Sequence, residues 1–478
     1  MRSRVEYPRR TLAKSLIALV GCVVLIAGCS NSTSSSNSGL AGSGGDASAA
    51  GGPADQASPG VSADTVNVGY LVVDIGEVSK SLGFKNVEDG GFEVTSKGIQ
   101  AVANYVNTNG GVGGRKINPL IKAYKGEKDS PEYAEAQCRG FTQDAEVFAV
   151  IIDGQFQNNA RPCYQSARTI ILDQTYVPHD QKELQSYSPY LWSTSLPPVD
   201  SFAKTLLPTL KNAGWFDGAQ GVAVIAPDAE VTRRTTTEIV TPYLQSIGVT
   251  KSQTYYIDVS NPGTLGATSS AALSGAKNGG LDRVIFIGGE RIEAVALSTS
   301  EAEELTAKYS ISSYDNPAFF VDNPDTVVVE SRIGMVGLGF SPSADNRADS
   351  SPLAFPDPAR PNEGLCKQIL DTAGAAPPEK NRENYRVALQ YCDATLLLKA
   401  ALDRAPKNLT PNAFKDAMWS LGTSYSSAVA YGSNWTQGQY AGATAMRLML
   451  WDDTCSLNDR TTKGCFRMGQ TDIPLATG

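Results

Sequence analysis

Eight cysteines and one histidine are the side chains in this 478-residue chain best suited to covalent or metal chemistry. His179 lies in the polar stretch Val177-Pro178-His179-Asp180, where a lone histidine reads as a solvated loop residue. No Cys-x-x-Cys pair occurs, and one histidine cannot complete a zinc set, so no metal is expected. No Gly-x-Ser-x-Gly elbow is present to raise a nucleophilic serine. No Gly-Lys-Ser/Thr follows a glycine-rich turn, so a phosphate-cradling loop is excluded. The many Asp and Glu residues show no spacing that singles out a catalytic pair, and surface charge is their default role. The sequence therefore predicts no catalytic residue, no cofactor and no enzyme. The thiols remain, and what they do depends on the compartment.

The first residues settle that expectation. Arg2, Arg4, Arg9, Arg10 and Lys14 precede an apolar run from Leu16 to Gly28. The run is shorter than the roughly 20 residues needed to span a bilayer. It ends in Leu25-Ile26-Ala27-Gly28-Cys29, small residues followed by a thiol. Positive end, apolar run and small residues make a secretory signal. The segment resembles a bacterial lipoprotein signal, which implies cleavage before Cys29 and lipidation of that cysteine. Residues 1–28 would then be the signal, and 29–64 the lipidated cysteine and a tether. The body would be lipid-anchored on the extracytoplasmic face of the cell membrane. The alternative is an ordinary secreted chain.

The Ser/Gly/Ala-rich tract 31–64 has too little apolar surface to bury a core, so it reads as a flexible tether. Its random-coil reach is about 30 Å. The leader carries a net charge of +4 and the whole chain −8, which leaves −12 on the remainder. Such acidity argues against nucleic acid, because phosphate binding needs clustered Lys and Arg.

With Cys22 in the leader and Cys29 lipidated, six cysteines remain, an even number in an oxidising compartment. Fifteen pairings of six are possible. Local pairing gives Cys138–Cys163, Cys366–Cys392 and Cys455–Cys465, against the alternative of buried free thiols.

These residues must be positioned by about 415 residues of body, which suits two domains. Val66–Val73, Ile117–Tyr124, Val147–Ile152 and Thr169–Asp173 read as strands. Helices alternate with them over 92–109, from Pro131 onward, and over 158–168. The pattern restarts after Trp192, with helices at 202–213, 229–247, 263–278 and 291–309. The strands of this second unit are 221–226, 253–258, 283–287, 318–321 and 335–340. Two helices follow a Pro-rich loop, the second over 381–404, and 428–478 reads as short β segments. Alternating strands and helices imply parallel sheets covered on both faces, an α/β class. Ligands of such proteins bind at the carboxyl ends of the strands, in the cleft between lobes.

One stretch is more specific. Gly98-Ile99-Gln100-Ala101-Val102-Ala103-Asn104-Tyr105-Val106-Asn107 runs into Asn109-Gly110-Gly111-Val112-Gly113-Gly114-Arg115-Lys116-Ile117. It resembles a segment of type I periplasmic binding proteins, especially branched-chain amino-acid and amide binders. Asp129-Ser130-Pro131 to Phe148-Ala149-Val150 is similar to the next helix and strand of that family. Tyr391-Cys392-Asp393-Ala394 matches its Tyr-Asp-Ala helix with a cysteine inserted. The resemblance implies two Rossmann-like lobes joined by a hinge of three crossings, here near 195, 344 and 422. Lobe 1 would be 65–194 plus 345–421, and lobe 2 would be 196–343 plus 423–478.

The resemblance also implies ligand loops. In lobe 1 these hold Gln155, Gln157, Asn158, Asp173, Gln174 and Thr175, with Phe84 as a stacking wall. In lobe 2 they hold Asp228, Glu230, Glu290 and Asp322. Glu290 and Asp322 would meet an ammonium or hydroxyl. The family's amino-acid binders place small hydroxyl residues where this chain has Gln and Asn. Amides donate and accept, which suits a polar, largely neutral solute. The implied function is a monomeric extracytoplasmic lipoprotein that delivers a small polar solute to an ABC permease. The alternatives are a ligand-sensing or protein-binding surface lipoprotein on the same fold, and a hydrolase on a two-lobed scaffold.

Overall fold

The computed structural model describes residues 53–74, 91–155, 157–289, 292–322, 327, 329–345, 353–378, 380–456 and 463–476. The leader, Cys29, Phe84 and Glu290 lie outside the described residues. Among the described residues, no helix is long and apolar enough to cross a membrane.

The first sheet has five strands: β1 (Thr65–Val73), β2 (Lys116–Tyr124), β3 (Ala149–Asp153), β4 (Ile170–Asp173) and β5 (Leu191–Ser193). Their order is β2-β1-β3-β4-β5, and every neighbouring pair is parallel. β3 and β4 are buried along their whole length, as parallel strands covered on both faces must be. The helix Gly91–Thr108 covers the sheet with Ile99, Val102, Ala103 and Val106, a stripe of helical period. Ser130 caps the next helix, Pro131–Thr142, by accepting from the Tyr133 N–H, with Pro131 at its first position.

The second sheet holds β6 (Val222–Pro227), β7 (Ser252–Ile257), β8 (Arg283–Phe286), β9 (Lys308–Ser312) and β10 (Val336–Gly339). It continues through β11 (Ala445–Ser456) and β12 (Lys463–Met468), while β13 (Ile473–Pro474) pairs with β11. The order β12-β11-β10-β9-β8-β6-β7 is parallel from β7 to β10 and antiparallel beyond it. One apolar core surrounds the first sheet, and two flank the second. This is the mixed α/β architecture, with parallel sheets, that the sequence predicts.

All three local disulfides are present: Cys138–Cys163, Cys366–Cys392 and Cys455–Cys465. Cys138, Cys366, Cys392 and Cys465 are fully buried, so the bridges are parts of the cores.

Three sequence expectations need correction. The strand expected at 318–321 is a helix, Pro317–Asp322, and the true strand is β9 at 308–312. Tyr309 and Ile311 alternate inward there, while Pro317 supplies a helix start rather than a ladder donor. The expected helix 291–309 is correspondingly broken into Ile292–Ala296 and Ser300–Glu304.

The tether is also shorter than 64 suggests. Ala57 and Ser62 accept hydrogen bonds through their carbonyls from Arg168 and Arg115, and the Ser58 N–H donates to the Leu409 carbonyl. The chain is docked on the first lobe from residue 53, because polar side chains satisfy a backbone with little apolar surface of its own.

Finally, the return to the second sheet falls at 442–445, not near 422. Asp393 explains the delay. Its fully buried carboxylate accepts from Tyr425 Oη, Ser427 Oγ and the Ala428 N–H, each at 2.7 Å. Trp435 and Tyr440 then pack on Trp192. The Gly442 N–H bonds the Ser193 carbonyl, extending the first sheet beside β5. Tyr425, Ala428, Val429, Trp435, Tyr440 and Ala441 therefore pack in the first core, while Tyr431 between them packs against a core of the second sheet.

Candidate functional site

The carboxyl ends of β3, β4 and β5 meet the second lobe along a seam. The segment after β4 crosses it. Tyr176 packs in the core cluster of the second lobe with Leu196, Val199 and Phe202. The Val199 N–H donates to the His179 carbonyl at 2.8 Å. Arg234 Nε donates to Asp180 Oδ2 at 2.6 Å, an ion pair with both side chains largely buried. Further along, Gln157 Nε2 donates to the Ser260 carbonyl at 3.3 Å.

Gly288, after β8, is required at this seam. Its φ is +77°, and a Cβ there would lie 3.1 Å from both Pro178 Cβ and Thr232 Cγ2. Any larger residue would carry left-handed strain and push the crossing segment away.

A buried charge cluster fixes the segment from below. Arg161 is 3 % exposed and forks to Asp173 Oδ2 at 2.9 Å and Glu183 Oε2 at 3.0 Å. The Thr175 N–H and Oγ1 donate to Asp173 Oδ1 at 2.8 and 2.6 Å. Burial lifts the Glu183 carboxyl above its ordinary range, against the pull of Arg161. Asp173, held by Arg161 and Thr175 together, is the firmer anchor.

His179 is fully buried, which corrects the solvated loop histidine of the sequence reading. Its Nδ1 faces Arg161 Nη2 at 3.4 Å, and a guanidinium only donates, so the ring accepts there and is neutral. Burial, and then the Arg161 charge, push its pKa down to about 4. An unfolded chain takes up this proton near pH 6.5. His179 therefore adds stability that is fully present above pH 6.5 and is lost as pH falls toward 4. The shift corresponds to about 3 kcal/mol. Urea unfolding from pH 7 to 4 should show this loss, and His179→Asn should flatten it. An unchanged slope in the variant contradicts the buried neutral ring.

The sequence-predicted residues divide sharply. Gln155, Asp173, Gln174 and Thr175 are buried at the seam, with Gln157 bridging it and Asn158 beside it. Gln174 is committed to structure: its Nε2 donates to the Gln390 carbonyl at 3.0 Å, and its Oε1 accepts from Ser195 Oγ at 2.9 Å. Asp228 instead pairs with the exposed Arg233, and the exposed Glu230 pairs with the largely buried Arg234. Asp322 closes a helix rather than a strand, which removes the strand-end position that recommended it.

Sequence reading missed Arg386 and Gln390, which begin the helix Arg386–Leu402. Gln390 faces the β4 loop through Gln174, and the Arg386 guanidinium lies 6.0 Å from the centre of the Tyr176 ring. Several buried atoms along this edge of the first lobe have no hydrogen-bond partner: Gln155 Nε2, His179 Nε2, Thr194 Oγ1, Arg386 Nη1 and Gln390 Oε1. Unpaired buried polar atoms are costly, and atoms of this kind also occur elsewhere in the chain, at Trp215, Tyr255, Ser269 and Tyr309 among others.

No protein-family model matches this sequence, and no curated protein matches it. Solved structures do. A solute-binding protein of an ABC transporter from R. palustris, in complex with 4-hydroxybenzoate, aligns over 86 % of this chain and 98 % of its own (TM-score 0.59, 15 % identity). A branched-chain amino-acid ABC transporter protein from Thermus thermophilus with bound valine aligns over 86 % and 97 % (0.58, 13 %). A type 1 periplasmic binding protein from Bordetella pertussis aligns over 85 % and 100 % (0.58, 14 %). The chain has the type I periplasmic-binding fold. Open α/β sheets in general place ligands outside the carboxyl ends of their strands.

Proposed function

We propose that this chain is an extracytoplasmic solute-binding lipoprotein, anchored through Cys29, that captures a small polar solute between its lobes for an ABC importer. The observation that carries the reading is the row of unpartnered buried atoms at the carboxyl ends of the first-lobe strands, on a type I periplasmic-binding fold. Gln155, Thr194 and Gln390 present donors and acceptors to the solute, while Asp173, Gln174 and Thr175 hold the loop that frames them. Gln157, Asn158, Glu290 and Phe84 complete the ligand set proposed from the resemblance. Valine and 4-hydroxybenzoate, each bound by one of the similar proteins, make amino acids and aromatic acids sensible first solutes to try.

A thermal-shift screen of amino acids, aromatic acids, amides, polyols and sugars tests the reading. A solute at 100 times its Kd should add about 2.7 kcal/mol of stability. A screen with no hit, together with turnover of a solute or retention of a protein partner by the seam, contradicts it.

A further inference from the structure

We propose that residues 425–441 form a strap across the hinge, and that the contact of Tyr431 with Asp345 is its releasable tie, restraining the movement of one lobe against the other. The proposal rests on how the lobes are joined and on no solute.

The strap belongs to the first lobe at both ends and visits the second lobe between them. Tyr425, Ala428 and Val429 lie in the core of the first sheet, and Trp435, Tyr440 and Ala441 return to it. Tyr431, midway, packs against a core of the second sheet. The Arg447 guanidinium of β11 lies 4.8 Å from the centre of its ring. The Thr444 N–H donates to the Gly432 carbonyl, and the Asn434 N–H to the Gly442 carbonyl, each at 3.1 Å. Ser433 and Ala443 form an antiparallel bridge, so the strap tip runs alongside the crossing at 442–445.

Asp345 holds this tip to the second lobe. It ends the short helix Pro342–Asp345, which follows β10 at the second crossing. Its carboxylate is fully buried: Oδ1 accepts from Ser313 Oγ, and Oδ2 accepts from Tyr431 Oη at 3.0 Å. Ser313 Oγ in turn accepts from the Phe340 and Ser341 N–H groups. One network thus joins two crossings through a single tyrosine.

The two attachments are unequal. Asp393 holds the strap to the first lobe with three bonds, and Trp435 and Tyr440 add their packing on Trp192. Tyr431 makes one side-chain bond to the second lobe. Rotation of the lobes about the crossings must strain one attachment, and the single bond yields first.

The tie also takes up a proton. Among the described residues no lysine or arginine pairs with Asp345. Burial pushes its carboxyl up to about 7, against the pull of Ser313, Tyr431, the Ser341 backbone and the more distant Arg447 charge. Burial lifts Asp393 less, to about 6. Burial and these carboxylates keep Tyr425 and Tyr431 protonated, although the Arg447 and Arg360 charges pull Tyr431 the other way. Release exposes Asp345, and its carboxyl returns to the ordinary value near 3.9. Protonation therefore favours the tied form, and the tie weakens as pH rises from about 4 to 7.

Hydrogen exchange of the whole chain without solute, corrected for intrinsic rates, tests the strap. From pH 6 to pH 8, protection at residues 430–434 should fall about tenfold, the ratio set by a carboxyl moving from about 7 to about 3.9. The Asp393 carboxyl would give only about twofold over the same range. Asp345→Asn should remove the pH dependence. Tyr431→Phe should lower protection of the strap at pH 6 and also at the seam, residues 173–180, while β1 and β3 keep theirs. Strap protection that does not change with pH in the wild-type chain would overturn the tie. So would a Tyr431→Phe chain whose strap loosens while the seam stays as protected as before, which would make the strap a local loop of the first lobe. If Asp345→Asn does not fold, the wild-type chain and Tyr431→Phe decide between these outcomes.

Discussion

Arg161→Ala should lower folding stability by about 3–5 kcal/mol, the range for removing one partner of a buried ion pair. The substitution leaves Asp173, 1 % exposed, without the Arg161 cation, and removes the Arg161 bond to Glu183. Water cannot easily reach Asp173 to compensate, so most of the desolvation cost remains. Its effect also reaches the seam. Asp173 holds Thr175, and the following residues carry Tyr176 and His179 into the second lobe. The variant should therefore also weaken binding of any solute found by screening. Arg161→Lys should recover only part of the loss, because an ammonium cannot fork to two carboxylates in one plane. Urea unfolding at pH 7 measures the change. A loss below about 1 kcal/mol, typical of an exposed pair, would show that the cluster is not what holds the segment.

The second large effect concerns Cys366–Cys392. The bridge closes 26 residues and joins two helices through fully buried sulfurs. Loop-closure entropy for that length corresponds to about 3–4 kcal/mol. The double variant Cys366→Ala/Cys392→Ala should lose stability on this scale. The bridge holds Cys392 six residues from Arg386 and two from Gln390, on the same helix. The variant should therefore also weaken solute binding, even though neither cysteine reaches the seam edge. Replacing Cys455–Cys465, which closes only 10 residues in the second sheet, should cost less and leave solute affinity unchanged. Equal effects from the two bridges on affinity would contradict the role given to the Arg386 helix.

Much of the architecture was legible because its signals are local. The stripe Ile99, Val102 and Val106, the apolar runs within β3 and β6, and the proline-led helix starts each specify an element without reference to the rest of the chain. The disulfides were legible because their partners are near in sequence. Failures came where distant partners decide. Residues 308–322 carry apolar residues compatible with either period, and only the place beside β8 makes 308–312 the strand. The crossing at 442–445 depends on Asp393, more than thirty residues before the segment it holds.

The site was the least legible part. The loops after β3 and β4 were legible as strand ends, and the carboxyl ends of parallel strands are generic binding positions. The role of each side chain was not. Gln174 reads as a free amide until Gln390, 216 residues away, occupies it. His179 reads as solvated until Arg161 and Val199 enclose it. Arg386 reads as one more helix-surface arginine, and nothing in its neighbours signals its burial.

Hydrogen exchange with and without a solute from the screen tests the central claim most directly, that the solute sits between the lobes. Binding should slow exchange at the seam from both sides: residues 153–155, 173–180 and 194–195, the start of the helix at Arg386–Gln390, and Gly288–Gly289. Slowing confined to one lobe's outer surface, or none at the seam under saturating solute, would contradict the account.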